Sequence, residues 1–72
     1  MSVTEVVAPV PGLVTKISVP VGSSISQGET IAVLQSMKME IEIQAEISGK
    51  VSKILIKEGD EVNIGQTIAE IE

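Results

Sequence analysis

Cysteine, histidine, arginine, phenylalanine, tyrosine and tryptophan are all missing from the 72 residues, and each absence removes a class of answer. Without cysteine there are no disulfides, and without cysteine or histidine the usual zinc and iron sites are excluded, so no metal is expected. The lack of thiols fits a reducing compartment, and a cytoplasmic location is the expectation. Without aromatic rings the core has to come from Val, Ile, Leu, Met and Ala. That is demanding at this length, where folding buries only about 60% of the unfolded chain's surface, and it makes a single domain over residues 1–72 the expected organisation. A positive excess is absent too. Ten acids face five lysines for a net charge of −5, the wrong sign for a phosphate backbone or an anionic bilayer. Neither nucleic acid nor membrane is therefore an expected partner. The N-terminal MSVTEVVAPVPG has no basic n-region, and no stretch approaches the roughly 20 apolar residues of a membrane span. A soluble, unexported protein is the expectation.

What the chain does contain is an internal repeat. The segment starting at Ala8, APVPGLVTKISVPVGSSISQGETIAVLQ, lies without gaps over AEISGKVSKILIKEGDEVNIGQTIAEIE from Ala45, an offset of 45 − 8 = 37. All six glycines pair under that shift: Gly12 with Gly49, Gly22 with Gly59, Gly28 with Gly65. Glycine marks backbone positions that need positive φ or close approach, so the two halves share their turns and hence their path. The repeats are 1–35 and 38–72, with Ser36-Met37 as the joint.

Apolar residues recur mostly at every second position, as in Val10, Val14 with Ile17 and Val19, Ile31 and Val33, then Val51, Ile54 and Ile56, Ile68 and Ile71. No helical stripe is sustained, and β-branched residues prevail, so short strands are predicted. The expected fold is all-β, a flattened barrel or sandwich of about eight short strands, four per half. From Ile31 to Ile47 the odd positions are almost all apolar and the even ones mostly polar. As one strand this run would reach about 56 Å, against an expected radius of gyration of about 11 Å. It has to fold back, and the repeat boundary puts the fold at Ser36 to Met39. Between Gly28 and Gly49 there is no Gly, Pro, Asn or Asp to make a tight turn, and such conflicts between local preference and required shape gather at functional sites. A two-fold relation between the halves would bring the chain ends together at the position equivalent to the 35/38 joint.

Lys38 sits at that seam between Met37 and Met39. Exposed methionines there would form an adaptable docking surface; the alternative is that both tuck into the core as strand-end residues. An imine-forming or general-base lysine needs burial or nearby cations, whereas Glu40 and Glu42 follow Lys38 on one face. With no His, Cys, Arg or Tyr to serve as acid, base or nucleophile, catalysis by this chain is not expected. Lys16, Lys50, Lys53 and Lys57 read as surface charge. Lys38 reads as a lysine displayed for use by another protein.

SMKM at 36–39, with the flanking IEIQAEISGKVSKILIKEGDEVNIGQTIAEIE, resembles the biotinyl/lipoyl attachment domains over nearly the whole chain. The resemblance implies a barrel-sandwich of two four-stranded antiparallel sheets with quasi-two-fold symmetry, and an acceptor lysine on the hairpin between the fourth and fifth strands. It implies biotin as the cofactor, joined covalently to Lys38, with Met37 and Met39 as flanking recognition residues. The implied partners are a biotin protein ligase, a biotin carboxylase and a carboxyltransferase. The implied role is that of a biotin carboxyl carrier, ferrying a carboxyl group between those enzymes rather than acting as one. Gln35 stands where the family often has an acid, Glu46 where it often has Pro, and the Gly12–Gly28 interval is too short for the thumb of some bacterial carriers. An excised domain or a free-standing carrier would both fit the lack of a linker, and Met1 favours the second. Two other readings stay open: a lipoyl carrier of a 2-oxo acid dehydrogenase complex, whose motif has Asp before the lysine and a small residue after it, and an unmodified interaction module.

Overall fold

β-Branched side chains lose χ1 freedom in a helix but pack well on a pleated surface, and the polypeptide forms strands throughout. The computed structural model describes residues 3–72. Its strands are β1 (Thr4–Val7), β2 (Gly12–Ile17), β3 (Ser24–Ile25), β4 (Thr30–Ser36), β5 (Met39–Gln44), β6 (Gly49–Ile54), β7 (Glu61–Val62) and β8 (Thr67–Ile71). They make two four-stranded antiparallel sheets, in the orders β1-β8-β6-β3 and β5-β4-β2-β7. The radius of gyration is 11.2 Å. No helix among the described residues is long and apolar enough to cross a membrane.

The offset of 37 carries over from sequence to hydrogen-bond register. Leu34 opposes Ile41 in the β4–β5 ladder, and their counterparts Ile71 and Thr4 oppose each other between β8 and β1. Both ladders slip at the same place, between Thr30 and Ala32 in one and between Val6 and Val7 in the other. Gly12 pairs with Val62, and their mates Gly49 and Ile25 pair in turn. Each sheet thus takes two strands from each half: β1 crosses to lie beside β8, and β5 lies beside β4. Neither half can close its own sheet, so the two halves have to fold as one unit. The described ends of the chain meet at Thr4 and Ile71, the place equivalent to the hairpin; Met1 lies outside the described residues.

Among the described residues fifteen apolar side chains are buried, and no polar or charged one joins them. Fourteen form two-fold pairs, among them Val14 with Val51, Ile31 with Ile68, Ala32 with Ala69 and Leu34 with Ile71. Burying one such Val, Leu or Ile side chain is worth about 1.5–3 kcal/mol, which is how a small core without rings suffices. The backbones approach closely at the repeat glycines. A Cβ on Gly12 would come within 2.8 Å of the Gln35 carbonyl oxygen, and one on Gly49 would run into the Glu72 carbonyl oxygen and the Ile71 Cγ2.

Three residues with the strand-like spacing lie outside strands. Val10, Val19 and Ile56 fall in the connecting segments beside β2 and β6, yet all three pack on the core. Strand bulges account for part of this: the register shifts between Val14 and Lys16 and between Val51 and Lys53. Each inserts a residue, so Val14 and Ile17, three apart, both reach the core side.

Candidate functional site

The hairpin falls within the expected Ser36 to Met39 and turns in two residues. Gln35 opposes Glu40 and Ser36 opposes Met39, which leaves Met37 and Lys38 alone to reverse the chain. Two-residue connections fit the right-handed twist of the flanking strands when both central residues have positive φ, and Asn-Gly normally supplies them. Here Met37 has φ of 50° and Lys38 of 69°, and among the described residues they are the only non-glycines in that region. A side chain there costs on the order of 1–2 kcal/mol per residue. Long ladders on both sides hold the conformation, with β4 also paired to β2 along its other edge.

The turn throws its side chains outward. Met37 is 92% exposed and Met39 63%, which overturns the alternative in which both methionines tuck into the core. Lys38 is exposed, and among the described residues no side chain hydrogen-bonds to it. Glu40 follows on the outer face of β5. Glu42, on the same face, accepts a bond from the Thr30 hydroxyl at 3.2 Å and so is occupied locally.

Two residues join this neighbourhood that the sequence did not point to. β2 lies between β4 and β7, so Leu13 sits directly opposite Gln35 on one side and Glu61 on the other. Glu40, Gln35, Leu13 and Glu61 therefore form one exposed row across the sheet, one step below the tip. The available signal was the repeat itself: Leu13 is an apolar residue where its mate is Lys50.

Chemically, the tip offers a primary amine in free water and nothing to activate it. Among the described residues no group of three His, Cys, Asp or Glu is placed to hold a metal ion. A groove elsewhere on the molecule is lined by β1, Pro9, β5, the segment after β5 and Ile71, without Met37, Lys38 or Met39. A cofactor used here fits as a covalent extension of the amine, which stands exposed between two exposed methionines.

Comparison with known proteins agrees with this geometry. A family model described as "Biotin-requiring enzyme", for biotin and lipoyl attachment, matches residues 4–71. Among solved structures, the chain is similar to the urea carboxylase of Kluyveromyces lactis, with a TM-score of 0.94 and 32% identity over 100% of this chain. It is also similar to a single-chain, multi-domain long-chain acyl-CoA carboxylase, with a TM-score of 0.89 over 94% of this chain; at 24% identity that likeness speaks for the fold alone. The chain spans 6% and 7% of the lengths of those two enzymes. No curated protein matched it.

Proposed function

The chain belongs to the biotin and lipoyl attachment family, and from that premise we propose that it is a biotin carboxyl carrier domain whose acceptor is Lys38. The observation that carries the reading is the two-residue turn: a strained backbone holds one lysine at an exposed tip between two exposed methionines. Strain of this kind persists where side chains are needed in a place that glycine would fill more cheaply.

The proposed loading step belongs to Lys38 and a ligase. The deprotonated amine attacks the carbonyl carbon of an acyl-adenylate, the new C–N amide bond forms as the C–O bond to phosphate breaks, AMP leaves, and the amine's second proton passes to solvent. The ligase has to supply both the base and the adenylate, because no His, Cys, Arg or Tyr is present in the chain. Once attached, biotin supplies a ureido ring able to carry a carboxyl group between a biotin carboxylase and a carboxyltransferase. The protein contributes position: the hairpin extends the tether away from the sheet, and the row Glu40, Gln35, Leu13, Glu61 beside the tip is the proposed face for the partners. Tethering keeps the carried group at high effective concentration near its next site. The neighbouring urea carboxylase supports this placement by its name, and the identity of the acceptor substrate follows from whichever enzyme holds the domain.

Met37 and Met39 favour biotin over lipoate as the attached group, since they replace the Asp and small residue of the lipoyl motif. The test is the intact mass of the chain after incubation with biotin ligase, biotin and ATP, and separately with lipoate ligase, lipoate and ATP. One biotinyl group per chain is expected. Lipoate alone, or neither group while a known acceptor domain is modified in parallel, would overturn the reading.

A further inference from the structure

Away from the tip, the molecule carries a groove between the two halves. β1 and β5 are the outer strands of their sheets, so among the described residues each leaves one edge unpaired. Their Cα atoms stay more than 8 Å apart, beyond the spacing of about 4.8 Å at which strands hydrogen-bond. The space between is a groove of about 170 Å³, with Val6 and Ile43 at its buried floor. Val7 and Ile47 line it while remaining 45% and 37% exposed. Glu5, Glu42 and Glu46 line it as well, and all three carboxylates are exposed. Glu5 and Glu42 are two-fold mates, each accepting from the matching threonine: Thr67 to Glu5 at 3.5 Å and Thr30 to Glu42 at 3.2 Å. No lysine lines the groove.

We propose that this groove docks an extended, basic segment of a partner, with apolar side chains alternating with lysine or arginine. Three features select that occupant. Unpaired strand edges favour an extended backbone over a helix. Partly exposed Val7 and Ile47 take alternate apolar side chains, because successive residues of a strand point to opposite sides. The three carboxylates, in a chain of net charge −5, steer positive charge toward the groove and repel a second copy of the same chain. The site is independent of what is attached to Lys38. Its rival is purely protective: charges placed along edge strands prevent edge-to-edge association and bind nothing.

The test uses the ¹⁵N-labelled, unmodified chain and two capped hexapeptides of equal charge, Lys-Val-Lys-Val-Lys-Val and Lys-Ser-Lys-Ser-Lys-Ser, titrated at low salt. Amide shifts should concentrate in β1 and residues 42–47 with the valine peptide. The serine peptide, and a Glu5→Gln, Glu42→Gln variant, should each bind roughly tenfold more weakly, the scale expected for losing the apolar contacts or two exposed ion pairs. The variant's own spectrum reports whether it is folded, and Val7→Thr with Ile47→Thr provides a second variant that keeps all charges. Equal binding of the two peptides, shifts centred instead on the acidic turn at Glu58 to Glu61, or no shifts at millimolar peptide would overturn the proposal.

Discussion

Two kinds of turn hold every positive φ among the described residues, and the difference between them separates shape from use. Gly22, Gly28, Gly59 and Gly65 turn with φ between 82° and 95°, and a Cβ on any of them would meet nothing within 4 Å. Their backbone is bonded in matched pairs: the Gly28 N–H donates to the Ala45 carbonyl at 2.8 Å, and its mate Gly65 donates to Ala8 at 2.9 Å. At these turns only the path of the chain matters, and the residue without a side chain supplies it at least strain. Met37 and Lys38 take the same region of conformation with large side chains attached. Glycine or asparagine would be easier there, so the side chains are what the position keeps.

The largest expected effect is at the amine. Lys38→Ala should abolish ligase-dependent acylation completely, seen as an unshifted intact mass, while stability stays within about 0.5 kcal/mol because the residue is exposed. Loss of the fold in this variant would break the distinction between tip and core. Next come the two-fold core mates. Leu34→Ala and Ile71→Ala, both fully buried, should each cost about 2–5 kcal/mol in urea unfolding, against a total of about 4–11 kcal/mol for a chain of this size. The two costs should agree within about 1 kcal/mol; a wide gap would show that the halves share their path but not their energetics.

The turns themselves sharpen the comparison at a smaller scale. Gly28→Ala and Gly65→Ala should each destabilise by about 1–2 kcal/mol. Met37→Asn with Lys38→Gly should stabilise by a similar amount, raising the melting temperature by about 4–8 °C per kcal/mol, at the expense of all acylation. If that double variant melts lower, the tip is not strained. The smallest effect on stability belongs to Met37→Ala with Met39→Ala, within about 0.5 kcal/mol, together with slowed turnover by the ligase.

Much of this was legible in the residues. The 37-residue offset gave the two-fold relation because the glycines that define the turns recur in register, and the length of the Ile31–Ile47 run forced a reversal at Ser36 to Met39. Other features depend on partners distant in sequence. Alternation cannot reveal β3 and β7, which are only two residues long. The ends of β2 and β6 were hidden because Val10, Val19 and Ile56 pack on the core from the segments beside those strands and so carry the same apolar spacing as strand residues. Nothing local says that β1 leaves its own half to pair with β8, or that β2 lies between β4 and β7 and so brings Leu13 and Glu61 beside the tip. The groove between β1 and β5 is invisible for the same reason, being made by two edges that do not pair.

The chain has five lysines, all exposed, so display alone does not distinguish Lys38; the turn does. Fragmentation mass spectrometry of the ligase-treated chain, reading each of Lys16, Lys38, Lys50, Lys53 and Lys57, tests that difference most directly. Biotin on Lys38 and on no other lysine is the predicted result. Biotin distributed over several lysines, or placed on one outside the hairpin, would contradict it.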